Sequence, residues 1–205
     1  MSTTVTTNVT TVLIVTSDDT AFTARLAQVL RAARQARGLT TAALAQASGV
    51  SRGSVVKLER GDSQPSAALL GRLCGPLGLT LSELFARVEA RTATGRLVRA
   101  ASAPTWTDPV SGHRRRSLSP SPAGPAQLTE IVLPAGAAVT YPAQAYADLH
   151  QQVWVLEGTL DLLEGTDAHR LGPGDCLELG APADCTFTNP GDTATRYLVV
   201  VARRP

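Results

Sequence analysis

No apolar run in the 205-residue chain approaches the ~18 residues that span a bilayer, so no transmembrane helix is expected. Residues 1–16 place no basic side chain ahead of the short apolar stretch 12–15, which makes a poor secretory signal. There are three cysteines, Cys74, Cys176 and Cys185, without CxxC spacing. That argues against a disulfide framework and a zinc finger, and it suits a reducing cytoplasm. Lysine is nearly missing: Lys57 stands alone against eighteen arginines, a bias that carries no functional inference. A Ser/His/Asp set, a phosphate-binding loop and a carboxylate pair are also lacking, so no such mechanism presents itself.

What is present suffices for a core: 43% of residues are apolar. At ~100–200 residues per domain, the length admits one large domain or two small ones. The net charge of +2 conceals an asymmetry. Residues 1–90 carry nine basic and six acidic side chains, residues 91–125 six and one, and residues 126–205 four and ten. The basic part suits a polyanion and the acidic part would be repelled by phosphates, which suggests two modules with different partners.

Residues 1–22 are expected to form a flexible tail, rich in Thr, with a strand over 9–15 as the alternative on propensity. From Ala21 the period becomes helical, with Leu26, Val29, Leu30 and Ala33 at three- and four-residue spacing and Gly38 as a stop. Thr40 and Ser51 are N-cap residues for helices over 41–47 and to about residue 59. Pro65-Ser66 opens a fourth helix, expected to stop or kink at Gly75-Pro76. Thr80 caps a fifth over 81–89. Five short helices with tight turns read as an all-α domain over 23–89.

Residues 90–125 read as a basic connector rich in Pro, Ser and Arg. A hairpin across 108–112 is a candidate for the first strands of the next domain. Arg114-Arg115-Arg116 reads by default as a solvated charge run; in a strand, Arg114 and Arg116 would share one face and Arg115 take the other. From residue 126 to 205, short strands alternate with Gly/Pro turns, at 128–133, 153–156, 159–163, 176–179, 185–188 and 197–202. This is the pattern of a β-sandwich or barrel.

The segment 39–59 is helix, short turn with Gly49, helix, as in a helix-turn-helix. Arg31-x-x-Arg34-x-x-x-Gly38-Leu39-Thr40, Leu44-Ala45-x-x-Ser48-Gly49-Val50-Ser51, Leu58-Glu59-Arg60-Gly61, Pro65 and Leu84-Phe85 resemble the xenobiotic-response-element (XRE) family related to phage Cro repressors. The resemblance covers about residues 24–88. It implies that the third helix enters the major groove, with Arg52, Ser54 and Lys57 as base-contact residues and Thr41 and Ser51 on phosphate. It also implies an Arg34–Glu59 pair between helices. Gly53 departs from relatives that carry a contacting side chain there.

Gln151-Gln152-Val153-Trp154-Val155-Leu156-Glu157-Gly158, Leu171-Gly172-Pro173-Gly174-Asp175 and Phe187-Thr188-Asn189-Pro190-Gly191 resemble the cupin family, a jelly-roll barrel. Cupin enzymes hold a divalent metal with His, His, Glu and His. Here the Glu position falls on Gln151, the last His on Cys185, and the first two His near Ala145 and Ala147 or one residue earlier. Neither a metal nor another cofactor is therefore expected. His150 and Cys185 remain as potential ligands, too few for tight binding. An apolar barrel with few polar groups suits a small-molecule effector. The pocket candidates are Tyr146, His150, Gln151, Val153, Val155, Cys185 and Phe187; Trp154, alternating with Val153 and Val155, is placed outside.

Taken together the chain resembles an XRE–cupin transcriptional regulator: an all-α helix-turn-helix domain followed by an all-β cupin domain. It is expected to be a cytoplasmic homodimer without catalysis, bound to a double-stranded operator and not to a membrane. The alternatives are a cupin-type oxygenase or isomerase carrying a helix-turn-helix, and an antitoxin-like DNA-binding protein.

Overall fold

A computed structural model describes residues 17–89, 96–121, 124–147 and 149–203. The strand considered over 9–15, and the tail up to residue 16, lie outside them. The helices are α1 (Ser17–Ala36), α2 (Thr41–Ser48), α3 (Arg52–Arg60), α4 (Ala67–Leu77) and α5 (Leu81–Glu89). Each start after the first follows from a local cap. The Thr40 hydroxyl accepts from Ala43 N–H, Ser51 from Ser54 N–H and Ser66 from Leu69 N–H. Thr80 and Glu83 form a reciprocal capping box at 2.8 and 2.9 Å. The α2–α3 turn is set by Gly49 at φ 65°, a left-handed conformation that a side chain would strain. Leu26, Leu30, Leu44, Val55, Leu58, Leu70 and Phe85, spaced to share one helix face each, close into a single core.

Helix α4 corrects one expectation. It continues through Pro76 to Leu77 and ends at Gly78. Pro76 sits in the last turn and denies the Arg72 carbonyl its donor, and the helix ends one residue later, so the expected stop is displaced by a single residue.

The C-terminal part contains β1 (Thr105–Thr107), β2 (Arg114–Ser117), β3 (Ala126–Leu133), β4 (Ala138–Tyr141), β5 (Leu149–Glu157), β6 (Leu160–Glu164), β7 (Asp167–Leu171), β8 (Cys176–Glu178), β9 (Cys185–Thr188) and β10 (Thr195–Arg203). One sheet runs β1-β2-β3-β10-β5-β8 and the other β4-β9-β6-β7. Numbered from β3, the eight barrel strands pair as 1-8-3-6 and 2-7-4-5. That is the double Greek key of a jelly roll, the architecture to which cupins belong. Strands β4 and β7 escape the sequence pattern. β4 has only four residues, and β7 is an edge strand whose residues 167, 168 and 170 are exposed, so it shows no apolar alternation.

The hairpin β1–β2 lies within the stretch read as a connector. It pairs Thr105 with Arg116 and Thr107 with Arg114, and β2 continues onto β3. Its other face joins the helices: Trp106 packs on Phe85, with ring centroids 5.0 Å apart, and reaches Phe22. In the hairpin loop, Asp108 is 2% exposed and accepts from three backbone donors. These are Ala67 N–H at the head of α4 and Val110 N–H, both at 2.6 Å, and Ser111 N–H at 3.0 Å. One carboxylate thus holds a loop of the barrel side to the start of a helix. Asp108→Ala leaves the buried Ala67 N–H and two part-buried donors of the hairpin loop without their acceptor, and chemical denaturation is expected to show a loss of about 1–3 kcal/mol. Asp108→Asn, which retains an acceptor oxygen, is expected to lose less.

Two glycines bring α4 against the barrel. A Cβ on Gly71 would stand 3.0 Å from the Tyr141 ring, and one on Gly75 3.1 Å from Gln144 Cβ. Glycine at this i, i+4 pair lets the helix backbone approach the β4 end and the following turn. At the far edge, Arg203 forms a fork with Glu83 at 2.6 and 2.8 Å. Burial pushes the Glu83 carboxyl up, but the Arg203 and Thr80 hydrogen bonds prevail and hold it below its ordinary value.

Candidate functional site

Two places in the molecule have the makings of a binding site. The first is α3. Its inner face, Val55 and Leu58, is buried, while Arg52, Gly53 and Lys57 are exposed on the outer face. The Ser51 hydroxyl accepts from Ser54 N–H at 3.1 Å and pairs with the Ser54 hydroxyl at 2.8 Å, so the two serines hold each other at the head of the helix. Thr41 is half-buried at the first position of α2, beside Arg31 and Arg60 in a furrow between α1, α2 and α3. A Cβ on Gly53 would meet nothing closer than Ser51 Oγ at 4.0 Å, so the missing side chain leaves open space on this face. Arg34 lines the same furrow as Thr41 but is engaged within the protein. Its guanidinium forks onto the Glu59 carboxylate at 2.6 and 2.8 Å and donates to Leu39 O at 2.8 Å. The pair expected between α1 and α3 is therefore present.

The second place is a cavity of about 80 Å³ at the mouth of the barrel. Its walls are Ile131, Val139, Leu149, Phe187, Val199 and Val201, with Tyr141, Tyr146 and Tyr197 among them. Its polar groups are His113, Arg115, Thr129 and Gln151 from the barrel and Thr80 and Ser82 from the helices. Of the residues expected in the pocket, Tyr146, Gln151 and Phe187 line it. Val153, Val155 and Cys185 are buried in the barrel core outside its wall; the Cys185 thiol donates to Ala183 O, and burial raises it to about 11. His150 needs correction. Strand β5 buries Leu149, Gln151, Val153 and Val155 and exposes the residues between, so His150 points outward with Trp154, 3.5 Å from Glu178.

The arginine run is corrected too. Arg114 is exposed, but Arg115 is 5% exposed and Arg116 pairs with the buried Glu130. Strand alternation sends Arg115 inward, and the helices cover that side of β2. Sequence reasoning misses this cavity residue because a charge triplet ordinarily faces water. The alternation is the available signal.

A cupin metal does not fit. By the cupin resemblance the ligand positions hold Ala145 and Ala147 (or, one residue earlier, Gln144 and Tyr146), Gln151 and Cys185, and among the described residues no three His, Cys, Asp or Glu side chains come together as a ligand set.

Residues 30–84 match the helix-turn-helix family model HTH_3. That stretch of the helical domain thus carries the helix-turn-helix this family model describes. The whole chain shares its fold with an HTH_3 family transcriptional regulator from Vibrio cholerae, at TM-score 0.75 and 22% identity over 91% of this chain and 99% of that one. Its β part also aligns with the Cupin_2 domain of an XRE family transcriptional regulator from Enterobacter cloacae (15% identity, 45% of this chain and 98% of that one, TM-score 0.42). An RmlC-like cupin from Shewanella frigidimarina gives 15% identity over 54% and 92%, at TM-score 0.44. No curated protein matches the sequence.

The helix-turn-helix domain forms part of the cavity itself. Thr80, Leu81 and Ser82, at the head of α5, stand on its wall opposite the strands. His113 lines it beside them, 2% exposed, with Nδ1 bonded to the Ser111 hydroxyl at 2.8 Å. Burial lowers its pKa below 6.5; Asp108 at 3.9 Å opposes this and Arg115 adds to it. The unfolded chain then binds the proton more readily than the folded one. Stability is full above pH ~6.5 and falls as pH drops below that value. Urea midpoints measured from pH 7 down to ~5, above the carboxylate range, are expected to decline, and His113→Gln is expected to flatten the decline.

Proposed function

We propose that this protein is a sequence-specific DNA-binding transcriptional regulator whose barrel takes a small-molecule effector. The observation that carries this reading is the joint use of one domain. The helix-turn-helix exposes Arg52 and Lys57 on α3, and through Thr80–Ser82 it also walls the barrel cavity. Arg52 reaches a base edge, Lys57 a base edge or a phosphate beside it, and Ser54 lies next to them. Thr41 and Ser51 hold phosphate with hydroxyl and backbone N–H groups. As a homodimer the chain would place two such helices about 34–36 Å apart, one turn of the duplex. An effector that prefers one arrangement of the two domains shifts the population toward it and so changes DNA affinity.

No reaction is assigned, because the barrel lacks the donors that would hold a catalytic metal. Stoichiometric iron, zinc or manganese in the purified protein would reinstate the enzyme reading. The regulator reading is tested by fluorescence anisotropy on DNA from immediately upstream of the protein's own gene, titrated with salt. Tight binding with a steep salt slope is expected. Binding no tighter than to random DNA, together with an empty genome-wide pull-down, would overturn it.

A further inference from the structure

The cavity wall is chemically lopsided. Among its described lining residues there is one full charge, Arg115, and no carboxylate. The Arg115 guanidinium is held by neutral hydroxyls: Ser117 at 3.1 Å, and Ser82 and Thr129 at 3.2 Å each. The acidic side chain it faces, Glu89, is 3.8 Å away, outside hydrogen-bond distance, and Phe85 stacks behind it at 4.3 Å. Glu89 thus supplies its counter-charge only at the long end of an ion pair, whereas a cation taken out of water is stabilised best by an anion that also hydrogen-bonds it. The same wall holds a second group in want of a partner. The Tyr146 hydroxyl is buried with the Cys185 thiol as its polar neighbour, and because that thiol donates to Ala183 O the phenol finds no well-formed partner. Unpaired buried hydroxyls are uncommon and each calls for a reason.

The rest of the wall is mostly apolar, with Thr80, Ser82, His113, Thr129 and Gln151 as its further polar groups. The cavity, about 80 Å³, suits a compact ligand. We propose that the effector is a small carboxylate with an apolar body, its charge paired with Arg115 and its body laid against Ile131, Val139 and Phe187. Tyr146 donates to whatever polar atom the ligand carries to that side. The proposal rests on the effector-controlled reading above and gives the ligand its class. It also supplies the connection to the helices. Arg115 donates to Ser82 and faces Glu89, the first and last turns of α5, so an anion that draws the guanidinium into the cavity alters what α5 packs on.

The experiment uses the full chain with hexanoate and benzoate as probes and their neutral near-isosteres, hexanamide and benzamide, as controls. Binding is measured by saturation-transfer NMR and by calorimetry. The carboxylates are expected to bind at least tenfold more tightly than the amides. Arg115→Gln is expected to erase that preference. Should Arg115→Gln not fold, Arg115→Lys decides: it keeps the positive charge and loses the fork, and is expected to retain a preference for acid over amide that is severalfold weaker than the parent's. Equal binding of acid and amide, or no binding of either acid at millimolar concentration, overturns the proposal. Anisotropy on the upstream DNA keeps the two readings apart. A protein that binds DNA and no carboxylate loses only this proposal, whereas one that binds carboxylate and no DNA loses the regulator reading.

Discussion

Replacing Arg52 and Lys57 together with alanine is expected to weaken specific operator binding by about 3 kcal/mol, more than a hundredfold, with the fold intact. Both side chains are exposed on α3, and neither contributes to the buried face made by Val55 and Leu58. Their removal therefore costs affinity and not stability. The two residues are expected to fail differently. Arg52→Ala, at the head of the helix, relaxes sequence preference at one base pair and costs about 1–3 kcal/mol. Lys57→Ala, where it serves a phosphate, weakens binding across sequences and lowers the salt slope by about one. Anisotropy on operator and on scrambled DNA, each at several salt concentrations, separates the two. A double variant that binds the operator as tightly as the parent would remove α3 from the interface.

Arg34→Ala is expected to be the most damaging single substitution for stability, by about 3–5 kcal/mol. The pair it breaks is bidentate and nearly buried, with side chains 12% and 8% exposed. The Glu59 hydrogen bond raises the Arg34 guanidinium above its ordinary value even against the cost of burial. Removing the arginine leaves Glu59 charged and facing a void, and it frees the Leu39 carbonyl at the α1–α2 turn. The loss thus falls on the joint between α1 and the helix that carries Arg52 and Lys57, and operator binding is expected to fall with it. Arg34→Met combined with Glu59→Leu fills the volume without a lone charge and is expected to recover most of the loss. Denaturant midpoints for the parent, the single and the double variant check this. A double variant no better than the single would mean that the ion pair does more than satisfy itself.

The helical domain is largely legible in the sequence. Thr40, Ser51, Ser66 and Thr80 each bond a backbone N–H three residues on, an interaction contained within one turn of chain. The Arg34–Glu59 pair is legible only through the family resemblance, since nothing local joins residues 25 positions apart. In the barrel the turns and the longer strands show themselves, and β5 alternates as its sequence suggests, with Trp154 outside. The same alternation, applied to its neighbour, removes His150 from the cavity.

The chemistry of the two sites differs in the same way. Arg52 and Lys57 stand on the outer face of a short amphipathic helix, and three residues of apolar spacing suffice to say which face that is. The sequence by itself therefore determined the class of both domains, their order, and the face that α3 presents. The cavity was decided by tertiary structure alone. Its walls come from residues as far apart as Thr80 and Val201, and its one cation sits in a triplet that reads as surface charge. Strand alternation separates Arg115 from Arg114 and Arg116 but does not say which side of β2 will be covered. That depended on Trp106 and Asp108 docking the hairpin against Phe85 and the head of α4, a long-range closure that no local pattern of apolar and polar residues encodes.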